Sequence, residues 1–276
     1  MTAQPHTLKA PGATLYYETS GSGPVLLLIP GGPADAGMFA GLAGELADRY
    51  TVVAVDPRGN SRSTFDGEPI EQDLDVHGDD MACILEAVSG EPAFVFGSSG
   101  GGQIGLNLAA RHPDRVEVLV AHEPPCITLL PDADKLVAQN REVVDTYRTA
   151  GIGPAMAKFA EFSGLRGGPP QSEGPIHPEQ AQAMARIGGN MDYFIGHGIW
   201  PISTYRPDVA TLKSGRARVE VGVGTESAGQ VAHETGLALA RALGRDAIVF
   251  PGDHGGFGAH QAEFARILDG VFRGPA

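Results

Sequence analysis

Cysteine is almost missing from this chain. Only Cys83 and Cys126 occur among 276 residues. Their spacing fits neither a metal site nor a redox motif, and two cysteines cannot build a disulfide framework. Both read as reduced, packed thiols. Basic residues are scarce as well. Lys and Arg number 20 against 33 Asp and Glu, for a formal charge of −13. A nucleic-acid binder needs a basic footprint, and anionic membranes attract Lys and Arg, so neither partner fits. No apolar run approaches the ~18–20 residues that a membrane span requires. The opening "MTAQPHTLKAPG" lacks a charged segment followed by an apolar core, so no secretory signal is expected. The expectation is a soluble, cytoplasmic protein. Oligomeric state leaves no mark in the sequence.

What is present is a regular alternation. Hydrophobic residues make up 42% of the chain, enough for a substantial core. Strand-like runs "ATLYYET", "PVLLLIP", "TVVAVDP", "PAFVFG", "VEVLVAHEPP", "ARVEVGVG" and "DAIVFPG" alternate with helical patterns near 36–49, 73–88, 229–243 and 261–271. That rhythm predicts an α/β fold with a mostly parallel central sheet flanked by helices. Residues 126–214 break it. They carry helical patterns near 132–149, 152–162 and 178–197 but no convincing strand. This stretch is long for a simple connection and reads as a helical cap inserted into a core of residues 1–125 and 215–276.

Chemistry concentrates in five places. "FGSSGGG" contains G-x-S-x-G in one register only, with Ser99 at its centre and a strand before it. Such a strand-to-helix turn holds a serine hydroxyl out of the sheet. Ser98 fails because Phe96 would occupy its leading glycine position. A plain Gly/Ser connection is the bland alternative, and a P-loop lacks its lysine. A serine attacking a carbonyl creates an oxyanion that needs N–H donors. Gly100, at the start of a helix, supplies one. Gly32, in "IPGGP" after an early strand, supplies the other. Of nine histidines, His254 stands out as the base, because "PGDHGG" follows the last strand. His122 reads as a packed neighbour of the site. His260 and His112 read as helix-end residues, and His6, His77, His177, His197 and His233 as remote. The acid has two candidates. Glu123 ends an apolar strand in "VAHEPP". Glu226 lies in "GVGTES", where Ser227 occupies the place of a usual G-x-x-D aspartate. A buried carboxylate needs a partner to offset desolvation, which puts Glu123 slightly ahead. Asp253 adjoins His254 in sequence and is disfavoured for that reason. The "GVGTES" run lacks the third glycine of a dinucleotide fingerprint.

Together, "IPGGP", "DPRGNSRS", "GSSGG", "HEPP" and "PGDH" resemble, in order, the motifs of the α/β-hydrolase superfamily. The resemblance spans the chain from about Ala13 to its end, outside the cap. In "DPRGNSRS", Ser61 replaces a glycine of the superfamily pattern, and Asp56, Arg58 and Gly59 read as structural. Within the superfamily the chain is most similar to the zearalenone lactonase group and related actinobacterial-type esterases. That group has a similar Pro-Gly turn, takes its acid from an H-E-x-P segment and lacks the G-x-x-D aspartate. Carried over by position, the resemblance implies a Ser99–His254–Glu123 triad with Gly32 and Gly100 as oxyanion donors. It implies a serine hydrolase of carboxylic esters or lactones, needing no cofactor or metal and acting on a small molecule. Gly100 replaces a serine of that group, and the cap aligns poorly. Trp200 in "GIWPIS" could match its substrate-contacting tryptophan or simply pack the cap. Two other readings stay open. One is a receptor-like binding protein on the same fold. The other is an aminopeptidase-like amide hydrolase, for which Glu161 or Glu173 could hold a free amine.

Overall fold

The computed structural model describes residues 3–164 and 178–274. Nine strands form one sheet: β1 (Gln4–Ala10), β2 (Ala13–Gly21), β3 (Val25–Ile29), β4 (Thr51–Asp56), β5 (Thr64–Phe65), β6 (Ala93–Ser98), β7 (Val116–His122), β8 (Arg218–Gly224) and β9 (Ile248–Phe250). The order is β1-β2-β4-β3-β6-β7-β8-β9, with the short β5 on β2. β2 runs antiparallel to β1 and β4, and every pair from β4–β3 through β8–β9 is parallel. This is the expected mostly parallel sheet. β1 was not anticipated. It is a polar edge strand, mostly solvent-exposed, so it lacks the apolar alternation that marks a strand in sequence.

The helices explain why the sheet is so apolar. α1 (Ala40–Leu46), α2 (Leu74–Val88) and α3 (Gly100–Arg111) belong to the first half of the chain. α10 (Val231–Leu243), α11 (Gly256–Ala259) and α12 (Gln261–Arg273) end it. All five residues of β3 are buried. Period-two geometry sends Leu27 and Ile29 to one face and Leu26 and Leu28 to the other. The first face packs on Met81 and Ile84 of α2, Leu106 of α3 and Leu239 of α10. The second packs on Leu42 of α1 and on Phe264, Leu268 and Phe272 of α12. The starts read at 152, 178 and 261 match α5, α6 and α12, whereas those read at 36, 73, 132 and 229 fall one to four residues early. The 36–49 pattern is a tight turn at Ala36–Phe39 capped by Asp35, followed by α1.

Between β7 and β8 the chain forms α4 (Ala133–Ala150), α5 (Ile152–Ser163), α6 (Pro178–Gly189), α7 (Met191–Tyr193), α8 (Ile199–Thr204) and α9 (Val209–Ser214). Among the described residues of this stretch there is no strand. The pattern read as one helix over 178–197 is broken at Asn190, and a wide helical turn at Phe194–Gly198 leads into α8. The insert has its own apolar cluster, built on Val143, Val144, Phe194, Ile195 and Ile199.

The "DPRGNSRS" residues act as fold connectors. Arg58 is buried and bonds Asp80 through both Nε (2.8 Å) and Nη2 (2.5 Å), while its Nη1 donates to the Pro11 carbonyl. Asp56, with no exposed surface, accepts from the N–H groups of Ala36 and Arg62 and from the Arg62 guanidinium. Breaking a buried pair strands a charge, so Asp80→Asn should cost about 3–5 kcal/mol in a urea unfolding titration.

Two buried histidines make the fold acid-sensitive. Burial pushes His77 down to about 4, helped by the Arg58 charge. Burial pushes His122 down to about 3 against the attraction of Glu123. Both folded values lie below the ordinary value of 6.5. The unfolded chain therefore binds these protons more tightly. Stability is full above the unfolded value and is lost as pH falls through that window. Unfolding free energy measured from pH 7 to pH 4 should fall steadily, and His122→Phe should flatten part of that slope.

Candidate active site

The five predicted places converge at the C-terminal ends of the parallel strands, where open α/β sheets bind ligands. Gly32 follows β3, Ser99 follows β6, Glu123 follows β7 and His254 follows β9. Strand register brings the central pair together, because Ser98 lies opposite His122. The Ser99 N–H also donates to the His122 carbonyl at 2.9 Å.

The turn at Ser99 is tight. Ser99 has φ +55°, a conformation rare for a residue with a side chain. Its neighbours show why only glycine fits around it. A Cβ on Gly97 would lie 2.3 Å from the Gly101 carbonyl oxygen, and one on Gly101 would lie 2.1 Å from the Ile29 carbonyl oxygen. Strand β6, helix α3 and strand β3 therefore touch backbone to backbone. The result is a serine at the N-terminal cap position of α3, whose first N–H groups have no intrahelical acceptor. Gly32 has φ +54°, and a Cβ on Gly100 would come within 3.6 Å of its nitrogen. The two expected donors thus lie close together, and both line the cavity beside Ser99.

Glu123 reaches His254, and Glu226 does not. His254 Nδ1–H donates to Glu123 Oε2 at 2.7 Å. Glu123 has no exposed surface and also sits at a positive φ, +46°. Its other oxygen accepts from the Gly224 N–H at 2.8 Å and from the Ser227 hydroxyl. Burial alone would raise this carboxyl. The His254 bond and the Gly224 N–H overcome it and hold the group down to about 2. Glu226 is exposed, and its N–H donates to the Gly252 carbonyl. Asp253 accepts from the Gly255 N–H at 2.8 Å instead.

Sequence reasoning missed two partners of Glu123. Ser227, noted only as occupying the usual aspartate position, donates to the carboxylate from that very loop. His233, read as remote, brings Nδ1 to 3.2 Å from Ser227 Oγ and 3.6 Å from Glu123 Oε1. The position of Ser227 was the available signal for the first, and helix α10 gave none for the second. His122 is packed as expected, among Phe96, Phe250, Phe257 and Phe264, with its ring 6.3 Å from that of His254. His112 and His260 stand at the ends of α3 and α12 as expected.

Ser99, Gly32, Gly100 and His254 line one small cavity of about 60 Å³. Its remaining walls are mostly apolar. Phe159, Phe162, Phe194, Ile199 and Ile202 come from the insert, and Val231 and Ala232 from α10. Trp200 is not among the residues that line it. The Arg141 guanidinium lies 4.9 Å above the Trp200 ring instead. Glu161 is exposed on α5 and does not line the cavity. Glu173 and His177 lie outside the described residues.

Known proteins are similar to this chain in sequence and fold. Over 275 residues the chain is 33% identical to YraK, an uncharacterised hydrolase of Bacillus subtilis (strain 168), covering 97% of this chain and 96% of that protein. A shorter stretch of 108 residues is 32% identical to the 2-(acetamidomethylene)succinate hydrolase of Mesorhizobium japonicum, covering 39% of this chain and 38% of that protein. Among solved structures, a thermophilic esterase from Thermogutta terrifontis superposes with a TM-score of 0.73 at 19% identity, covering 99% of this chain and 98% of that one. At that identity the likeness speaks for the fold. The model of the alpha/beta hydrolase fold matches residues 24–257, most of the chain, and with the near-full-length bacterial relative it makes this protein a member of the alpha/beta hydrolase fold family.

Proposed function

We propose that the protein is a serine hydrolase that cleaves carboxylic esters or lactones through an acyl-enzyme. The observation that carries this reading is the Glu123–His254 bond of 2.7 Å at the rim of the cavity that Ser99 enters. Glu123 stays ionised at neutral pH, fixes the imidazole with Nδ1–H toward itself and leaves Nε2 free to accept a proton. Ser99 Oγ attacks the carbonyl carbon while His254 takes its proton. The Gly32 and Gly100 N–H groups meet the oxygen that becomes negative. His254 then protonates the leaving alcohol oxygen, the acyl–Ser99 ester forms, and water activated by the same imidazole hydrolyses it. In a lactone the leaving oxygen stays tethered to the acyl chain.

The helical insert serves as a cap in this reading, since it supplies the aromatic and aliphatic walls of the cavity. Among the described lining residues only His254 is titratable. A carboxylate buried there would have no cationic partner. The substrate is therefore an uncharged, largely apolar ester. The lactone alternative rests on the likeness of "IPGGP" and "HEPP" to the zearalenone lactonase group. That likeness does not reach the cap, so ring size and chain length do not follow from it.

A fluorophosphonate probe should label the wild type and not Ser99→Ala. No labelling together with no turnover across p-nitrophenyl esters and macrolactones would sink the enzymatic reading in favour of a ligand receptor. Glu123→Gln should lower kcat by orders of magnitude in a folded protein, and Glu226→Gln should change it little. Within the ester panel, kcat/KM for p-nitrophenyl butyrate should exceed that for the p-nitrophenyl monoester of succinic acid by at least about tenfold.

A further inference from the structure

The turn that carries Gly32 is held by side chains from two distant segments. The Gly31 carbonyl accepts from the Ala34 N–H at 3.1 Å, which closes the turn. The Gly32 and Ala34 carbonyls both accept from Asn60 Nδ2 at 2.9 Å. The Pro33 carbonyl accepts from Asn190 Nδ2 at 2.8 Å. Four successive carbonyls of residues 31–34 are thus fixed. Asn60 belongs to the loop after β4, whereas Asn190 is the residue that breaks the insert between α6 and α7.

Asn190 is itself locked. Its Oδ1 accepts from the Ser61 N–H and its Nδ2 donates to Ser61 Oγ, both at 2.8 Å. Ser61 holds φ +49°, which explains a glycine at this place in the superfamily pattern. Here the strain of a side chain at positive φ is offset by the bonds that the side chain makes. The Ser61 hydroxyl donates to Asp35 Oδ2 at 2.9 Å. Asp35 has no exposed surface, caps the turn before α1 and receives Arg186 Nε of α6 at 2.6 Å. The path runs from α6 through Arg186, Asp35 and Ser61 to Asn190 and back to the Gly32 turn.

We infer that Asn190 and Arg186 of the insert are positioning residues for the reaction: they hold the Gly32 turn so that its N–H faces the oxyanion. The inference rests on the proposed role of Gly32. Neither side chain lines the cavity. They act through the backbone they fix, because a donor stabilises a developing charge only if it is already aimed when the charge appears. The insert then has two duties, shaping the pocket through its apolar residues and completing the oxyanion site through its polar ones.

The test uses full-length Asn190→Ala and Arg186→Met, with p-nitrophenyl butyrate as substrate and butylboronic acid as a mimic of the tetrahedral state on Ser99. The expected result is a kcat lowered on the order of 10- to 100-fold, short of the ~10²–10³ lost when a donor is removed outright. KM should stay within about twofold, and boronate affinity should fall by the same factor as kcat/KM. Ser61→Gly, which suits the positive φ and removes only the hydroxymethyl group, should show a smaller shift of the same kind and serves if the others fail to fold. Unchanged kcat and boronate affinity in folded variants would overturn the inference. So would a rise in KM with both intact, since the network would then merely brace the pocket. A wild type that neither turns over ester nor labels at Ser99 would strike the proposed function instead.

Discussion

A carboxylate with no exposed surface is the constraint around which this site is organised. Ionised Glu123 is tolerable in the interior only because each oxygen is met, one by His254 and the other by the Gly224 N–H and the Ser227 hydroxyl. Those partners come from the end of β8 and from the loops after β8 and β9, while Glu123 itself follows β7. Meeting the charge therefore fixes the spacing of β7, β8 and β9 at their C-terminal ends. It also fixes the imidazole, since Nδ1 meets this carboxylate at 2.7 Å. One electrostatic requirement sets local structure, loop packing and the orientation of the proposed base together.

The second constraint is steric. At Gly97, Gly101 and Gly31 backbone meets backbone or the Ser99 side chain, with no room for a Cβ. That closeness lets a serine stand at positive φ at the head of α3, aimed out of the sheet. The strain is local, and the buried apolar packing on both sheet faces holds it in place. In the proposed reading this rigidity matters, because the head of α3 would present both the nucleophile and an N–H donor and could not shift one without the other.

The insert links these two halves. Its aromatic residues close the cavity over Ser99, and its polar residues Arg186 and Asn190 reach the turn that bears Gly32. If the proposed roles hold, a segment that both closes a pocket and steadies the backbone beneath it would couple substrate shape to catalytic geometry.

Much of this was written in the sequence. The alternation of apolar strands and amphipathic helices determined the parallel sheet, because burial on both faces leaves a strong pattern. G-x-S-x-G picked out Ser99, since the glycines are needed by sterics that depend on local chain geometry. His254 followed from its place after the last strand. The edge strand β1 escaped notice because a half-solvated strand has little apolar signature. Sequence put Glu123 only slightly ahead of Glu226, because the choice depends on which carboxylate the folded sheet brings to His254 and which it leaves in water. Ser227, His233, Asn60, Asn190 and Arg186 were likewise invisible as a set. Their partners lie up to 157 residues away in the chain, as for Asn190 and Pro33. Sequence determined which segments become strand, turn and helix, as those are short-range choices of backbone geometry and burial. Only the tertiary structure decided which polar groups share a buried charge or a fixed carbonyl, because a hydrogen bond is set by distance in space.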